Sequence, residues 1–214
     1  MSILDFIFPR KCINCKKFGD FLCNDCFAKV HYDDSFVRGS PRDLDQAIST
    51  VAYNAIVKKL IYQFKYKPYL SKLADTIGEI MTEGLAQNEI FYNFIDQYKP
   101  VIVPVPLSWR RFRERGYNHA ELLASYVAKY FNLSLVRDVL IRTKNTKPQF
   151  KLGRKERFEN IRGAFGIREN QEIPRSVVIV DDVATTYATL KEAAKVLKHA
   201  GAKKVLGVTF AREM

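Results

Sequence analysis

The sequence predicts an α/β fold, in which an open, mostly parallel β-sheet is covered by helices and preceded by a small cysteine module. Three observations predict it. Several strand-length segments are almost entirely apolar, which is typical of parallel sheets covered on both faces. Segments with a helical spacing of apolar residues alternate with them. All four cysteines of the 214 residues lie close together near the N-terminus.

The predicted elements follow one another along the chain as a strand at 47–53, helices at 55–64 and 70–85, a strand at 101–105, a helix at 119–131, a strand at 177–180, a helix at 189–200 and a strand at 205–210. The last strand, helix and strand form a βαβ unit with parallel strands. Ligands of such sheets bind at the carboxyl ends of the strands. The polar stretch at 31–45 predicts a boundary between a zinc-ribbon-like module at 1–45 and an α/β domain at 46–214.

The charge of the chain is uneven. Its 35 Lys and Arg residues against 23 Asp and Glu residues give a net charge of +12. Residues 110–168 hold 15 basic and five acidic side chains, so most of the excess lies in about a quarter of the chain. This asymmetry predicts an anionic ligand or polymer as partner, although a solvated helix face around residues 154–162 is an alternative for part of it.

The N-terminal residues do not look like a targeting signal, because an acidic residue interrupts a short apolar run that no basic region precedes. No apolar run approaches the roughly 18 residues of a membrane-spanning helix. We therefore expect a soluble, cytoplasmic protein without a membrane span.

The cysteines form two CxxC pairs separated by seven residues, namely Cys12, Cys15, Cys23 and Cys26. Such pairs place four thiolates around a tetrahedral ion, which predicts a structural Zn²⁺ site. Redox-active thiols, an iron–sulfur cluster or a cluster without metal are the alternatives. His31 is either a competing ligand or, as is more common, an exposed histidine.

Residues 177–190 carry the most informative motif, because an apolar strand ends there in two carboxylates, Asp181 and Asp182. A threonine-rich loop and a helix start near Ala188 follow. Backbone N–H groups at a helix start and nearby hydroxyls form a cradle for a phosphate, while carboxylates bind sugar hydroxyls or Mg²⁺. The motif predicts a ribose 5-phosphate site, and an ordinary helix-capping pair is the alternative. The predicted ribose-phosphate residues are Asp181, Asp182, Ala184, Thr185, Thr186, Tyr187, Ala188 and Thr189.

This segment resembles the phosphoribosyl pyrophosphate loop of type I phosphoribosyltransferases. Two further segments, at 104–124 and 149–165, narrow the resemblance to the ComF family of competence-associated proteins. The four-cysteine module is also typical of that family, so the resemblance covers essentially the whole chain. It implies a sheet of the type I phosphoribosyltransferase kind, structural Zn²⁺, phosphoribosyl pyrophosphate with Mg²⁺, and a role in the uptake of transforming DNA beside the proteins of the uptake machinery.

The resemblance also implies roles for individual residues. Asp181 and Asp182 would be the catalytic pair of a transferase. The pyrophosphate loop would comprise Lys65, Tyr66 and Lys67. The basic residues of the covering loop and of the second signature, which would contact DNA or the site, are Arg110, Arg111, Arg113, Arg115, Arg154 and Arg157.

One position departs from the family pattern, because Tyr187 stands where the family usually has glycine. Glycine there lets the backbone approach the phosphate and adopt a positive φ. Either Tyr187 reaches that conformation at some cost or reshapes the loop, which weakens phosphate binding, or its ring lies outward and stacks on a base.

Two functions of different classes fit the sequence. One is a DNA-uptake factor that keeps the sugar-phosphate site and binds single-stranded DNA through arginines interleaved with aromatic residues. The other is a Mg²⁺-dependent phosphoribosyltransferase that acts on an unknown acceptor. Trp109 is either a stacking platform or a packing residue. His119 is a weak candidate for a general base, since an ordinary histidine at a helix start is the more common explanation.

Overall fold

The computed structural model describes residues 10–33, 36–40, 42–66, 70–146 and 153–213, and for Arg154 the backbone alone. The helices of this part of the chain are α1 (Asn24–Phe27), α2 (Ala55–Lys65), α3 (Leu73–Ala86), α4 (Glu89–Tyr98), α5 (Trp109–Arg115), α6 (His119–Tyr130), α7 (Arg154–Ile161) and α8 (Ala188–Ala200). Its strands are β1 (Phe36–Arg38), β2 (Gln46–Ala52), β3 (Val101–Pro104), β4 (Leu140–Arg142), β5 (Phe165–Ile167), β6 (Ser176–Ala184) and β7 (Lys204–Arg212).

A central sheet organises the fold, with the strand order β1–β2–β7–β6–β3. The pairs β2–β7, β7–β6 and β6–β3 are parallel, and the edge pair β1–β2 is antiparallel. Strands β4 and β5 form a separate antiparallel pair. The predicted α/β class with a mostly parallel central sheet is therefore confirmed.

Both faces of the sheet are buried. In β6, Val178 and Val180 join a cluster formed with α2, α3, α4 and α6, whereas Val177 and Ile179 join a second cluster formed with α8 and the β4–β5 pair. This alternation follows from the two-residue period of a strand. It explains why the segment is continuously apolar, since every side chain meets a covered face.

Strand β6 continues four residues beyond the predicted end at Val180. The pairing with β7 holds Asp181, Val183 and Ala184 in the strand, although its other neighbour, β3, ends opposite Val180. The two carboxylates therefore lie on the strand and not in the loop after it, and Ala184 is the last strand residue.

Helix α4 is absent from the sequence prediction. The side chain of Asn88 caps it by accepting a hydrogen bond from the backbone N–H of Phe91 at 3.0 Å. Phe91 and Phe94 bury one face of this helix. The capping asparagine and the spacing of its aromatic residues were the available signals.

The N-terminal segment packs on the sheet domain. Cys12, Cys23 and Cys26 belong to the same buried cluster as helix α2, and Tyr32 forms an isolated bridge with Val51 of β2. The boundary at residue 45 stays a prediction. No helix in the described ranges combines the length and the apolar character that crossing a membrane requires.

Candidate functional site

Asp181 and Asp182 lie near the carboxyl end of β6, and α8 begins shortly after them at Ala188. Because β2, β3, β6 and β7 run parallel, their carboxyl ends lie along one edge of the sheet. This is the edge at which open α/β sheets bind ligands. Both carboxylates are buried, with Asp181 9% and Asp182 2% exposed, so they are site candidates and not solvated surface charges.

Asp182 is surrounded by three donors or cations. Lys65 places Nζ 2.8 Å from Oδ1, and His119 places Nε2 3.2 Å from Oδ2. The backbone N–H of Val183 also donates to Oδ1, at 2.7 Å. Burial acts to raise the pKa of Asp182, but the charge and hydrogen bond of Lys65 and the hydrogen bond from this N–H outweigh it and hold the pKa below its usual value. Asp182 is therefore a carboxylate at neutral pH.

His119 is held as a neutral imidazole. Its Nδ1 lies 3.0 Å from Nη1 of Arg115. Because a guanidinium only donates, Nδ1 accepts and the ring proton lies on Nε2, which faces Asp182. Burial lowers the pKa of His119 to about 3, against the opposing effect of the Asp182 charge. Neither ring nitrogen is thus available as a general base or a metal ligand.

The Oδ2 atom of Asp182 is an orphaned acceptor. It lies beside Nε2 of His119, but it makes no hydrogen bond of good geometry within the described residues. A buried acceptor without a partner costs free energy. The arrangement therefore favours a ligand that brings a hydroxyl group or a cation to this oxygen.

Asp181 leaves β6 on the opposite face, by the alternation of the strand. Burial raises its pKa, and the adjacent charge of Asp182 raises it further. One oxygen of each aspartate and one nitrogen of His119 nevertheless lie within 4.8 Å of one another. The two carboxylates match the oxygen ligands that Mg²⁺ prefers, whereas the protonated Nε2 of His119 does not.

The phosphate cradle predicted from the sequence would lie in the loop after the strand. Tyr187 precedes α8 with φ 56° and ψ 15°, which is the left-handed conformation. Thr186 carries a buried Oγ1 that has no hydrogen-bond partner within the described residues. The backbone N–H groups of the first turn of α8 lack helical acceptors, as at any helix start. These donors fit an anion.

The ring of Tyr187 points into the protein. It is 4% exposed, and its hydroxyl lies 2.9 Å from Oγ of Ser49, which in turn lies 2.7 Å from Oγ1 of Thr209. The interpretation that this ring stacks outward on a base is therefore wrong. The buried hydrogen bond and packing stabilise a left-handed conformation that is unfavourable for a residue with a side chain.

Three residues near this loop were missed by the sequence interpretation. Ser49 and Thr209 are paired neighbours in β2 and β7, and Thr209 is in turn paired with Asp181 in β6. Arg212 lies over the Tyr187 ring, 5.3 Å from its centroid. The available signal for Ser49 and Thr209 was a hydroxyl residue in a mostly apolar strand, present in both β2 and β7.

The residues predicted to bind pyrophosphate are partly described. Lys65, the last residue of α2, contacts Asp182. Tyr66 follows it, and the guanidinium of Arg115 lies 5.8 Å from the centroid of its ring. Lys67 lies outside the described residues.

Helix α5 divides the four predicted loop arginines between two faces. Arg111 and Arg115 are half-buried. Arg115 contacts His119, and the charge of Asp182 acts on Arg111 against the burial that lowers its pKa. Arg110 and Arg113 are exposed. Arg113 stacks on Trp109, 4.5 Å from the ring centroid, and Trp109 itself is 69% exposed. The tryptophan is thus a surface residue and not part of the core.

The other two predicted basic residues lie on α7. This helix packs against α8, and it buries Ile161 at its end. Arg157 is half-buried. The side chain of Arg154 lies outside the described part of the chain.

The four cysteines converge on one point. One sulfur atom of each lies within 4.8 Å of the others, and the Sγ atoms of Cys15 and Cys23 are 3.5 Å apart. A tetrahedral zinc–thiolate site has sulfur atoms about 3.8 Å apart, because each Zn–S bond is about 2.3 Å long. The cluster could therefore bind a metal ion such as zinc. His31 is not in the cluster.

The sequence is similar to proteins named for competence and DNA utilization. It is 37% identical to Competence protein F of Haemophilus influenzae over 106 residues, which are 49% of this chain and 46% of that protein. It is 31% identical to DNA utilization protein YhgH of Escherichia coli K12 over 164 residues, 75% of this chain and 69% of that protein. Competence protein ComFC of Bacillus subtilis is 28% identical over 184 residues, 84% of this chain and 67% of that protein.

Other comparisons add less. The crystal structure of TT1426 from Thermus thermophilus aligns with a TM-score of 0.36 and 13% identity, over 66% of this chain and 84% of that one. No family model matches the sequence. The chain spans less than half of Competence protein F but more than two thirds of YhgH, to which it is more than 30% identical. This extent of similarity to YhgH, together with ComFC and Competence protein F, identifies the chain as a member of the ComF family.

Proposed function

We propose that the carboxyl edge of the sheet binds phosphoribosyl pyrophosphate, or a related ribose phosphate, together with Mg²⁺. The observation that carries this proposal is the pairing of a buried acidic site with a helix start six residues further along the chain. Oδ2 of Asp182 and Oγ1 of Thr186 are both buried polar atoms without hydrogen-bond partners in the described residues. A ligand with sugar hydroxyls at one end and a phosphate at the other satisfies both.

Each part of the ligand has a proposed set of residues. The 5-phosphate binds the backbone of residues 184–189 at the start of α8, as anions bind at helix N-termini. Asp181 and Asp182 bind the ribose hydroxyls or hold Mg²⁺. The pyrophosphate binds at Lys65, Tyr66 and Lys67. This arrangement is that of a type I phosphoribosyltransferase domain, which we propose as the finer description of the fold.

The cysteine cluster has a structural role in this proposal. Four thiolates leave Zn²⁺ no open coordination position, so the ion would stabilise the segment and not catalyse. Three of the four cysteines are buried, which agrees with a closed site.

We further propose that the chain acts in the uptake of DNA, as the names of its relatives suggest, and that it binds single-stranded DNA. The exposed face of α5 supports this second activity. It presents Trp109 with Arg113 stacked on it, and Phe112, 46% exposed. Aromatic faces bind bases and arginines neutralise the backbone of single strands.

The alternative is enzymatic transfer of the phosphoribosyl group to an acceptor. Lys65 and Mg²⁺ would stabilise the leaving pyrophosphate, and the two aspartates would stabilise positive charge on the sugar. His119 does not supply a general base, because its Nδ1 accepts from Arg115 and its Nε2 carries a proton. The acceptor would therefore need to be a nucleophile that requires no deprotonation by this histidine.

Ligand-induced thermal stabilisation tests the sugar-phosphate site. Phosphoribosyl pyrophosphate with Mg²⁺, at about 100 times the dissociation constant, should stabilise the wild type by about 2.7 kcal/mol. This corresponds to a rise of about 5–10 °C in melting temperature. Asp181→Asn and Asp182→Asn should lose most of the rise, whereas the exposed control Asp138→Asn should keep it. An equal rise in all four proteins would contradict the site.

Single-stranded DNA binding is tested separately by fluorescence anisotropy with a labelled oligonucleotide. Trp109→Ala should weaken binding about tenfold, because one base–aromatic stack is worth about 1–3 kcal/mol. Tyr92→Ala is the matched control, since Tyr92 is an equally accessible ring, 60% exposed, on α4. Affinity should also fall steeply with salt. Equal loss in both variants, or binding that is insensitive to salt, would exclude α5 as the DNA-binding face.

A further inference from the structure

Two guanidinium groups from different elements converge on one residue beside the candidate site. Nη2 of Arg111, on α5, donates to the backbone oxygen of Thr146 at 3.1 Å. Nη2 of Arg142, the last residue of β4, donates to Oγ1 of the same threonine. The small β4–β5 sheet thus places a cation, Arg142, beside the site, and no sequence motif had indicated this residue.

The Arg142 side chain is fixed in place. Its guanidinium carbon lies 5.2 Å from the centroid of the Phe165 ring on β5, and Thr146 holds one edge of the group. Its Nε is buried and has no hydrogen-bond partner in the described ranges. A positioned guanidinium with an unused donor is suited to binding an oxoanion, because its donors form a rigid fork.

The two guanidiniums are positive charges in a partly buried place. Neither forms an ion pair with an acidic side chain in the described part of the chain. Burial and the nearby charge of Arg111 lower the pKa of Arg142 to about 10, and burial followed by the charge of Arg115 lowers the pKa of Arg111. Both groups stay charged at neutral pH. Two like charges in a partly desolvated place repel each other, and an anion between them removes that cost.

The pair lies next to the acidic site without belonging to it. The charge of Asp181 acts on Arg142, and the charge of Asp182 acts on Arg111, in each case raising the pKa. The ion pair of Asp182 is made instead with Lys65. The start of α8 has its own donors. The guanidinium pair is therefore an additional group of cations within range of the two aspartates.

We propose that Arg111 and Arg142 bind a terminal phosphate group on a second ligand of this site. The inference rests on the proposed binding of a ribose phosphate at Asp181 and Asp182, beside which the second ligand would lie. A phosphate monoester carries nearly two negative charges at pH 7 and three acceptor oxygens, which matches two guanidiniums. A phosphodiester within a DNA strand carries one charge. The chemical class is therefore a phosphate monoester, either on a free nucleotide or at the end of a DNA strand.

Isothermal titration calorimetry on the full chain tests the proposal, with deoxyadenosine 5′-monophosphate and deoxyadenosine as the matched probes. The wild type should bind the monophosphate at least about tenfold more tightly than the nucleoside, because the phosphate adds hydrogen bonds between charged groups, which are stronger than neutral ones. Arg142→Gln and Arg111→Gln should abolish this difference. Arg142→Lys keeps the charge but loses the rigid fork of donors, so it should keep only part of the preference for the monophosphate.

Arg168→Gln is the matched control. Arg168 follows β5 on the same small sheet, and its ion pair with Asp138 at 3.0 Å is exposed. This variant loses the same formal charge and should keep the wild-type preference within about twofold. Thermal unfolding of each variant checks that it is folded. If Arg168→Gln and Arg142→Gln lose the preference equally, or if neither loses it, the proposal is wrong.

Two further titrations distinguish a DNA end from a free nucleotide as the source of the phosphate. They also distinguish failure of this proposal from failure of the proposed function. If an oligonucleotide with a 5′-phosphate binds more tightly than the same oligonucleotide with a 5′-hydroxyl, the ligand is the end of a DNA strand. If only the mononucleotide shows this preference, the ligand is a free nucleotide. Phosphoribosyl pyrophosphate with Mg²⁺ should bind wild type and Arg142→Gln equally. If this variant instead loses phosphoribosyl pyrophosphate, the pair binds pyrophosphate and the proposal is overturned. If the wild type binds the monophosphate but no phosphoribosyl pyrophosphate, the proposed function fails while the phosphate site stands.

Discussion

Lys65 and Asp182 form an ion pair with 2.8 Å between Nζ and Oδ1, and their side chains are only 21% and 3% exposed. The pair joins the end of α2 to the carboxyl end of β6. A partly buried ion pair rarely stabilises the fold more than apolar residues of similar volume would, but removing one partner leaves an uncompensated charge. The pair therefore lies at the candidate site, and the stability of the fold depends on both of its residues.

We expect Lys65→Met to lower the free energy of unfolding by about 3 kcal/mol, because it leaves Asp182 buried without its cation. Urea unfolding at pH 7 measures this change. Arg137→Met, which breaks the exposed pair between Arg137 and Glu121, is the control and should cost less than about 1 kcal/mol. Equal costs for the two variants would show that the Lys65–Asp182 pair is screened like a surface pair.

His119 should make the protein sensitive to mild acid. Its pKa is lowered from 6.5 to about 3 in the folded state, first of all by burial. The unfolded chain therefore binds a proton that the folded chain rejects, and stability that is present above pH 6.5 is lost as the pH falls. The loss from this group reaches up to about 1.4 kcal/mol per pH unit.

The comparison with His119→Gln isolates this effect, because glutamine keeps a neutral hydrogen-bonding side chain. Between pH 6.5 and 4.5, the urea-unfolding free energy of the wild type should fall more steeply than that of the variant. Parallel curves would mean that His119 is protonated in the folded protein, which the Arg115 contact argues against.

Tyr187 should contribute to stability despite its left-handed backbone. Tyr187→Phe loses the hydrogen bond to Ser49 and should cost about 1 kcal/mol. Tyr187→Gly relieves about 1–2 kcal/mol of backbone strain but removes a buried ring, which costs about 3–5 kcal/mol. We therefore expect a net loss in urea unfolding, with the exposed Tyr92→Phe unchanged. A glycine variant that is more stable than the wild type would contradict the packing role of the ring.

The cysteine cluster should hold one zinc ion per chain. Elemental analysis of protein purified under reducing conditions measures the metal content, and Cys12→Ser should lower it. Removal of the ion with a chelator should lower the melting temperature and make the buried thiols of Cys12, Cys23 and Cys26 reactive, since metal binding contributes to folding. Metal-free protein with an unchanged melting temperature would exclude structural zinc.

The elements that the sequence predicted well are those with a strong local pattern. Strand β6 and helix α8 were predicted because a continuous apolar run and a 3.6-residue period are local properties. Helix α4 was missed, although Asn88 and the aromatic spacing were available. The extension of β6 to Ala184 was not predictable in the same way, because it depends on pairing with β7, which is remote in sequence.

The candidate site was predictable only where its residues share a motif. Asp181, Asp182 and the threonines lie within one segment. Arg142 comes from a short strand elsewhere in the chain. The significance of His119 depends on where α6 places it relative to Asp182. Contacts of this kind follow from tertiary packing, and spacing in the sequence does not encode them.

The structure of the chain in complex with phosphoribosyl pyrophosphate and Mg²⁺ tests the central claim most directly. The account predicts the 5-phosphate on the backbone N–H groups at the start of α8 and the ribose hydroxyls or the Mg²⁺ ion against Asp181 and Asp182. A ligand that binds elsewhere at saturating concentration, or a site that stays empty there, would contradict the assignment of a sugar-phosphate site to this edge of the sheet.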